Sequence, residues 1–245
     1  MRRAIRTSVE QFAREFEPSG PIVEIGSLYL PGYEELSNLR PLFAGEDYLG
    51  CDIRRGLGVD RIEDANSLTF QGSSVGAVLM FEILEHLPAP ARALEEARRV
   101  LREDGVLAMS VPFHYRIHGF PTDYWRFTSS GVYELLSNFA DKAVFAVGPR
   151  LKPAFIFAVA AKSPTPEFAR KTALFRRAVE DHFQRTRWRG HLSLLKERGR
   201  DFIGHLLGRA EMSVQFYDPN HGGGYVVSQD KSQVKERSSF SQVQG

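Results

Sequence analysis

The stretch Ile22-Val23-Glu24-Ile25-Gly26 decides the fold class of this chain. It follows a helical pattern that Pro18, Gly20 and Pro21 bring to an end. Its first four residues have the composition of a buried strand, and the strand stops at a glycine. A residue without a Cβ at a strand end allows a ligand to approach the backbone closely, so we expect a binding crevice at this point.

On either side, short strand-like runs alternate with helical patterns as far as residue 162, which predicts an α/β fold with a parallel sheet and crossover helices. The helical patterns cover Thr7–Phe16, part of Tyr33–Leu42, Ala89–Leu101 and Ser129–Phe139. The further strands are predicted at Tyr48–Asp52, Val59–Ile62, Ala77–Met80, Val106–Val111, Val144–Val147 and Phe155–Ala161. A short connection joins the last two strands, so we expect them to pair antiparallel. Ser129 or Ser130 is the expected N-cap of the last helix.

The composition excludes several classes of function. Basic and acidic side chains number 32 and 30, so the formal net charge is only +2 and gives no reason to expect a nucleic-acid partner. Cys51 is the only cysteine, which rules out an intramolecular disulfide and a cysteine-based zinc site and fits a cytoplasmic location. No apolar run is suited to a signal peptide or long enough to span a bilayer, so no membrane partner is expected.

Polar side chains stand where the predicted strands end. Glu24 and Gly26 belong to the first strand and its end, Asp52 ends the second strand, and Asp64 follows the third. In parallel sheets, ligands bind outside the carboxyl ends of the strands. A carboxylate at the end of the second strand can accept hydrogen bonds from both ribose hydroxyls of a nucleoside, and Asp64 could accept one from an adenine amine.

Five motifs together resemble class I methyltransferases that depend on S-adenosylmethionine (SAM), of the bacterial methyltransferase type 11-like kind. They are Val23–Ser27, Tyr48–Asp52, Asp64-Ala65, Phe81–Leu87, and Arg99–Leu101 with Asp104-Gly105, and the resemblance covers residues 20–162. It implies a Rossmann-like, mostly parallel seven-stranded sheet with an antiparallel last strand. It also implies SAM as the cofactor and an enzyme that transfers a methyl group.

The resemblance also implies a set of cofactor-binding residues. They are Glu24, Gly26, Ser27, Asp52, Ile53, Asp64, Ala65, Phe81, Glu82 and Glu85. The first motif departs from the usual Gly-x-Gly-x-Gly, because Gly26 is followed by Ser-Leu-Tyr-Leu-Pro and only then by Gly32. The same loop lacks the Gly-x-Gly-x-x-Gly that nicotinamide enzymes use to approach a pyrophosphate, which argues against an oxidoreductase.

The loop His114–Phe127, after the fifth strand, is dense in aromatic residues and histidines and is the predicted acceptor site. His114, His118 and Asp123 are the candidate catalytic residues, because histidine titrates near neutral pH and a carboxylate can orient it or take the proton itself. The candidate substrate-binding residues are Tyr115, Tyr124, Trp125 and Arg126. On a helix, the spacing of His114 and His118 would suit a metal ion held together with Glu85 or Asp123, but the loop contains Pro and Gly, so no metal is predicted.

Several of these residues also have a purely structural interpretation. Gly26 could serve a simple turn, and Asp52 could cap a turn. Glu85 and His86 could cap and pack beside the following helix, and Arg126 could pair with Asp123. These alternatives are left open by the sequence.

The sequence predicts three regions: a SAM-binding domain over residues 1–162, a basic helical extension over 163–227, and a disordered tail over 228–245. The extension could be a lid, a contact in a homodimer, or part of the acceptor site. The loop after the fifth strand resembles that of a subset of these enzymes linked to sugar, polysaccharide or secondary-metabolite biosynthesis. This resemblance implies a methyl acceptor that is a hydroxyl of a sugar or another small metabolite. The alternatives are an N-methyltransferase acting on a small molecule, a SAM- or nucleotide-binding module without catalysis, and a nicotinamide oxidoreductase.

Overall fold

One mixed sheet organises the chain, in a computed structural model that describes residues 2–119, 121–149, 152–197, 212–217 and 225–226. The helices are α1 Arg3–Phe16, α2 Glu34–Ser37, α3 Pro90–Val100, α4 Ser129–Leu135 and α5 Phe168–Glu197. The strands are β1 Ile22–Ile25, β2 Tyr48–Asp52, β3 Arg61–Ile62, β4 Val75–Phe81, β5 Leu101–Pro112, β6 Asp141–Pro149, β7 Phe155–Ala161, β8 Met212–Tyr217 and β9 Tyr225–Val226. Two short 3₁₀ turns lie at Arg40–Phe43 and Leu84–His86.

The strand order is β3-β2-β1-β4-β5-β7-β6-β8-β9. Strands β1 to β5 run parallel, and β7 is antiparallel to both of its neighbours, β5 and β6. The predicted α/β fold with an antiparallel last strand of the seven-stranded core is therefore confirmed. The strand order reverses between β1 and β4, which is the point where α/β sheets of this kind bind ligands.

Helices cover both faces of the sheet, because the central strands are apolar on both sides. Every residue of Val75–Phe81 is buried, as expected for a strand in the middle of a parallel sheet. On α1 the buried apolar residues Ile5, Val9, Phe12 and Phe16 recur at helical spacing and face the sheet. On the opposite face, α3 buries Ala93, Leu94, Ala97 and Val100.

The extension begins by packing on the sheet rather than standing apart from it. Phe168, Phe175 and Val179 of α5 are buried in the same apolar cluster as α1. Beyond α5, β8 pairs with β6 and β9 pairs with β8, so the described residues form nine strands rather than the seven that the resemblance implied. The division at residue 162 and the role of the extension as lid, homodimer contact or acceptor site stay predictions. The tail 228–245 lies outside the described residues.

The structure corrects some predicted element ends. The N-cap of α4 is Thr128, not Ser129 or Ser130, because the extended backbone of Thr128 lets its Oγ1 accept a hydrogen bond from the N–H of Gly131 at 3.1 Å. β5 begins at Leu101 rather than Val106, since Val75 pairs with Leu101 before the register shifts to Val106. α4 ends at Leu135, and β3 is confined to Arg61–Ile62. No helix in the described part of the chain is long and apolar enough to cross a membrane.

Phe157 of β7 links the sheet to α5, and its replacement by alanine is expected to destabilise the fold. Its ring stacks on Phe81 of β4 at 5.8 Å and on Phe175 of α5 at 5.1 Å, measured between ring centroids. We expect Phe157→Ala to lower the free energy of unfolding by about 3–5 kcal/mol in denaturant titrations. Leu174→Ala is the control, because Leu174 is exposed on the same helix, and its effect should stay within about 0.5 kcal/mol. Equal losses in the two variants would contradict this description of the core.

Candidate active site

The predicted site residues lie at the carboxyl edge of the sheet, on either side of the switch between β1 and β4. Gly26 follows β1, Asp52 ends β2, and Glu82 follows β4. Because these strands are parallel and adjacent, their ends open at the same edge. The structure thus brings together residues that are up to 56 positions apart in the sequence (26 to 82).

Gly26 is required by a close contact as well as by its conformation. Its φ is +87°, and a Cβ at this position would lie 2.1 Å from Cγ2 of Ile83. The segment that follows β1 therefore touches the segment that follows β4. The N–H of Gly26 donates to the carbonyl of Cys51 at 2.7 Å, and this hydrogen bond also ties the segment after β1 to β2.

The loop after Gly26 turns toward the connection between β2 and β3. The buried Ser27 donates its hydroxyl to the carbonyl of Gly58 at 3.0 Å, and the N–H of Tyr29 donates to the carbonyl of Leu57 at 2.9 Å. The helix that follows, α2, has only four residues. Where the usual first motif has further glycines, this chain therefore has a loop that hydrogen bonds to residues 57–58 hold in place.

Glu24 is buried inside the sheet beneath this loop. The hydroxyl of Tyr48 donates to its Oε2 at 2.6 Å. Burial raises the pKa of Glu24 to about 7, although the hydrogen bond from Tyr48 opposes the shift. Its carboxyl group is therefore held by β2, and part of it keeps its proton at physiological pH.

Asp52 presents a carboxylate at the end of β2. Its Oδ1 accepts from the N–H of Arg54 at 2.9 Å, while Oδ2 accepts none of the hydrogen bonds found within the described residues. Ile53, the next residue, leaves 66% of its surface exposed. A half-free carboxylate beside an exposed apolar side chain suits a ribose hydroxyl pair and the flat face of a base.

Asp64 lies on the exposed turn after β3. It accepts from the N–H of Asn66 at 2.8 Å, and Ala65 beside it is buried. The neighbouring Glu63 is buried, but its carboxylate already accepts from the N–H and the hydroxyl of Thr69 at 2.8 and 2.6 Å. Asp64 therefore has the more accessible carboxylate of the two.

The end of β4 carries one core residue and one paired carboxylate. Phe81 is buried, and its ring stacks on β7, so its side chain belongs to the core. Glu82 has a positive φ of 56° and forms an ion pair with Arg2 at 2.8 Å. Arg2, just before α1, also lies 5.2 Å from the ring centroid of Tyr115. Nothing in the sequence pattern indicated that the N-terminus reaches this edge.

Glu85 is the least satisfied polar residue of the site. Its side chain is fully buried, and in the part of the chain that the structure describes neither carboxylate oxygen has a hydrogen-bond partner. Burial raises the pKa of Glu85 to about 8, with the nearby Glu82 adding to the shift. Its backbone carbonyl accepts from the N–H groups of Tyr124 and Trp125 at 2.8 and 3.3 Å, which fixes the loop above it.

A bidentate ion pair shapes the loop. Arg126 binds both oxygens of Asp123, at 2.6 and 2.8 Å, and also donates to the backbone carbonyls of Tyr115 and Arg116. The guanidinium holds the pKa of Asp123 well below its usual range. Asp123 also accepts from the N–H of His118 at 2.8 Å. This geometry favours an orienting role for Asp123 over that of a free base, and a structural role for Arg126 over substrate binding.

Two histidines converge on Glu85. Nε2 of His118 lies 3.8 Å and Nε2 of His86 lies 3.9 Å from Oε1 of Glu85, and the two ring centroids are 4.8 Å apart. His114 is exposed and lies outside this group. From the sequence, His86 was expected only to cap or pack beside the following helix. Its position directly after Glu85 was the signal that could have identified it as a member of this group.

Three large aromatic side chains border this group and remain partly open to solvent. Tyr115, Tyr124 and Trp125 are 40–49% exposed. The indole N–H of Trp125 donates to the carbonyl of Leu87 at 2.9 Å, so its ring is fixed in place. The predicted substrate-binding aromatics are therefore available for contact with a ligand.

Comparison with known protein families agrees with this fold. Residues 44–109, about a quarter of the chain, match the family model described as "Methyltransferase domain". This segment of the chain is therefore similar to a methyltransferase domain. The match spans β2, β3, β4, α3 and part of β5, which includes Asp52 and the segment from Glu82 to His86.

Solved structures of methyltransferases are among those similar to this domain. The Thermotoga maritima SAM-dependent methyltransferase described as a possible histamine N-methyltransferase is 18% identical, with a TM-score of 0.48, over 64% of this chain and 99% of the other. The Burkholderia thailandensis 1,6-didemethyltoxoflavin-N1-methyltransferase, solved with S-adenosylhomocysteine, is 17% identical, with a TM-score of 0.49, over 66% and 79%. A search of curated protein sequences found no match.

SAM is the cofactor of the methyltransferase domain, and the residues at the carboxyl edge fit it. Asp52 would hold the ribose, Ile53 would cover the base, and the exposed Asp64 would reach the adenine amine. All the cofactor contacts predicted from the resemblance, these three included, stay predictions, and Ser27 and Phe81 have structural partners. When bound, SAM supplies a methyl group on a positively charged sulfur.

Asp52→Ala is expected to weaken SAM binding by about 1–3 kcal/mol, because hydrogen bonds to a charged group are lost. Calorimetric titration with SAM measures the change. Asp104→Ala is the matched control, because Asp104 is an exposed carboxylate near the start of β5, and its affinity for SAM should not change. Unaltered affinity in Asp52→Ala would count against the cofactor site.

Glu24→Gln is expected to become more stable than the wild type as the pH rises. Between pH 4.5 and about 7 the unfolded chain releases the proton of Glu24 while the folded chain retains it, so the free energy of unfolding of the wild type falls. The loss reaches about 3 kcal/mol near pH 7 and then stays constant. Glutamine is neutral and keeps an acceptor for Tyr48, so the variant lacks this slope. Denaturant unfolding of both proteins from pH 4.5 to 8 measures the difference, and a difference independent of pH would refute the assignment.

Proposed function

We propose that the methyltransferase domain transfers the methyl group of SAM to a hydroxyl of a sugar or another small metabolite. One observation carries the proposal: Glu85, His86 and His118 form a group at the carboxyl edge. The exposed aromatic side chains of the loop after β5 border this group. It supports both the chemistry of the acceptor atom and the shape of the acceptor. A cytoplasmic location is part of the proposal, supported by the single buried Cys51.

A hydroxyl acceptor needs help with its proton, since a neutral hydroxyl is a weak nucleophile. Two imidazoles and a carboxyl group, with one nitrogen or oxygen atom each within 4.8 Å of the others, provide groups that can take this proton. A neutral amine already carries an available lone pair and needs such a group less. The convergence of these three side chains therefore favours an oxygen acceptor over nitrogen.

Among these groups, His118 is the best-positioned proton acceptor. The N–H of its Nδ1 faces the carbonyl of Arg116 and Oδ2 of Asp123, both at 3.3 Å. This leaves the lone pair of Nε2 free on the opposite side of the ring. Asp123 therefore acts as a positioning residue for His118, and its own ion pair with Arg126 keeps it charged.

The bordering aromatic residues favour a ring-shaped acceptor. Flat, half-exposed rings such as those of Tyr124 and Trp125 pack well against the apolar face of a sugar or against another ring. Both residues are held by backbone hydrogen bonds to Glu85, so the surface that they form is preorganised. Most of the rate gain of a methyl transfer can come from such positioning of the acceptor.

The direct test is a methyl-transfer assay on a panel of sugars, sugar nucleotides, phenols and amines, with SAM in excess. Mass spectrometry and NMR would identify the methylated atom. We expect methyl ethers of ring-bearing hydroxyl compounds. Methylated amines alone would overturn the oxygen assignment, and tight SAM binding without turnover on any acceptor would support a module without catalysis.

His118→Ala is expected to lower kcat by about 10²–10⁴-fold, the usual contribution of a general base, while the affinity for SAM stays within the error of the titration. The matched control is His114→Ala, which removes an exposed histidine of the same loop. Its effect on kcat should be much smaller. Equal activity in the two variants would remove His118 as the proton acceptor.

A further inference from the structure

We propose that Glu85, His86 and His118 bind a divalent transition-metal ion such as Zn²⁺, Mn²⁺ or Fe²⁺. Each residue offers one ligand atom, and the three atoms lie within 4.8 Å of one another. The sequence pattern offered a metal site only through His114 and His118 on a helix, with Glu85 or Asp123. The structure keeps Glu85 and His118 together but places His86 in the group instead of His114.

The two imidazoles present the correct nitrogen to an ion. Nδ1 of His86 donates to the carbonyl of Thr122 at 2.6 Å, and Nδ1 of His118 faces the carbonyl of Arg116 and Asp123. Both Nε2 atoms are therefore left with a lone pair, and both face Glu85. Histidines that bind metals are typically oriented in this way, by a carbonyl or carboxylate that accepts from the other ring nitrogen.

The carboxylate of Glu85 lacks the positive partner that its neighbours have. Glu82 is paired with Arg2, and Asp123 is paired with Arg126. The side chain of Glu85 is fully buried, and the described residues contribute no hydrogen bond to either of its oxygens. A buried carboxylate is costly unless it is paired or coordinates a metal, and a cation between Glu85 and the two histidines would meet that need.

The spacing requires only a small adjustment. Bonds of about 2.0–2.2 Å to one ion place ligand atoms roughly 3.0–3.5 Å apart. The separations from Oε1 of Glu85 are 3.8 and 3.9 Å, and all three ligand atoms lie within 4.8 Å of one another, so both imidazole rings would have to move slightly toward the ion. Gly119, at φ +63°, permits the close approach of the loop, because a Cβ there would lie 2.9 Å from Cε1 of His86.

The ligand set indicates the class of ion. Two imidazoles and one carboxylate are typical of zinc and of iron(II) with open coordination positions, whereas Ca²⁺ and Mg²⁺ prefer oxygen ligands. An ion in this position would lower the pKa of an acceptor hydroxyl bound beside it. His118 would then act as a ligand instead of the free base. This consequence rests on the proposed function, but the metal site does not.

The test uses the full chain, treated with a chelator, dialysed, and titrated with Co²⁺ and separately with Zn²⁺, in the absence of SAM and acceptor. Visible absorption of Co²⁺ reports nitrogen and oxygen ligands, and calorimetry gives the stoichiometry. We expect one ion per chain, accompanied by an upward shift of the melting temperature. Failure to bind either ion would overturn the proposal.

Three variants identify the ligands. Glu85→Gln and His118→Ala should each weaken binding by more than tenfold and abolish the metal-induced shift in melting temperature. His114→Ala is the control and should bind as the wild type does. Metal-free Glu85→Gln should melt no lower than the metal-free wild type, because an amide of the same size replaces a buried carboxyl group that accepts no hydrogen bond from the described residues; this shows that the variant is folded. Unchanged binding in Glu85→Gln, or an equal loss in His114→Ala, would refute the site.

The outcomes separate this inference from the proposed function. Metal binding without methyl transfer to any hydroxyl would leave the site standing and reject the acceptor. Methyl transfer at full rate by the chelator-treated protein would keep the acceptor and reject a catalytic role for the ion.

Discussion

The contact between Gly26 and Ile83 joins the two halves of the site. It lies where β1 and β4 end side by side, and only a residue without a Cβ lets the two chain segments approach so closely. Ile83 leads directly into the turn that carries Glu85 and His86. The cofactor side of the crevice and the acceptor side are therefore positioned by the same contact, although they depend on different parts of the sequence.

The acceptor side is held together by charge pairing and backbone hydrogen bonds. Asp123 and Arg126 fold the loop on itself, and the carbonyl of Glu85 fixes two of its N–H groups. Arg2 brings the beginning of α1 to the same edge by pairing with Glu82. Glu82 and Asp123 thus each have an arginine partner, and Glu85 has none. This explains why, of these three carboxylates, Glu85 is the most costly to bury and the best placed to bind a proton or a cation.

The elements of the sheet were largely predictable, because a buried parallel strand is specified by local composition. The limits of β1, β2 and β7 coincide with the predicted ones. Errors arose where neighbouring backbone decides the boundary, as at the shifted register before Val106 and at Thr128, whose extended backbone makes it the cap. The pairing of β8 with β6 was not predicted, since a strand near the margin of a sheet is defined by its partner more than by its own residues.

The sequence by itself determined the α/β fold, the order of the strand-end motifs and the position of Asp52, because parallel strands bring their carboxyl ends to one edge whatever the loops do. Only the tertiary structure decided which of the candidate polar residues are free and which are paired. Glu82 is paired with Arg2, which lies 80 residues earlier in the chain, and His86 replaced His114 beside His118. The physical reason is that pairing and burial depend on distances between segments that are remote along the chain, and residue spacing within one segment carries no information about them.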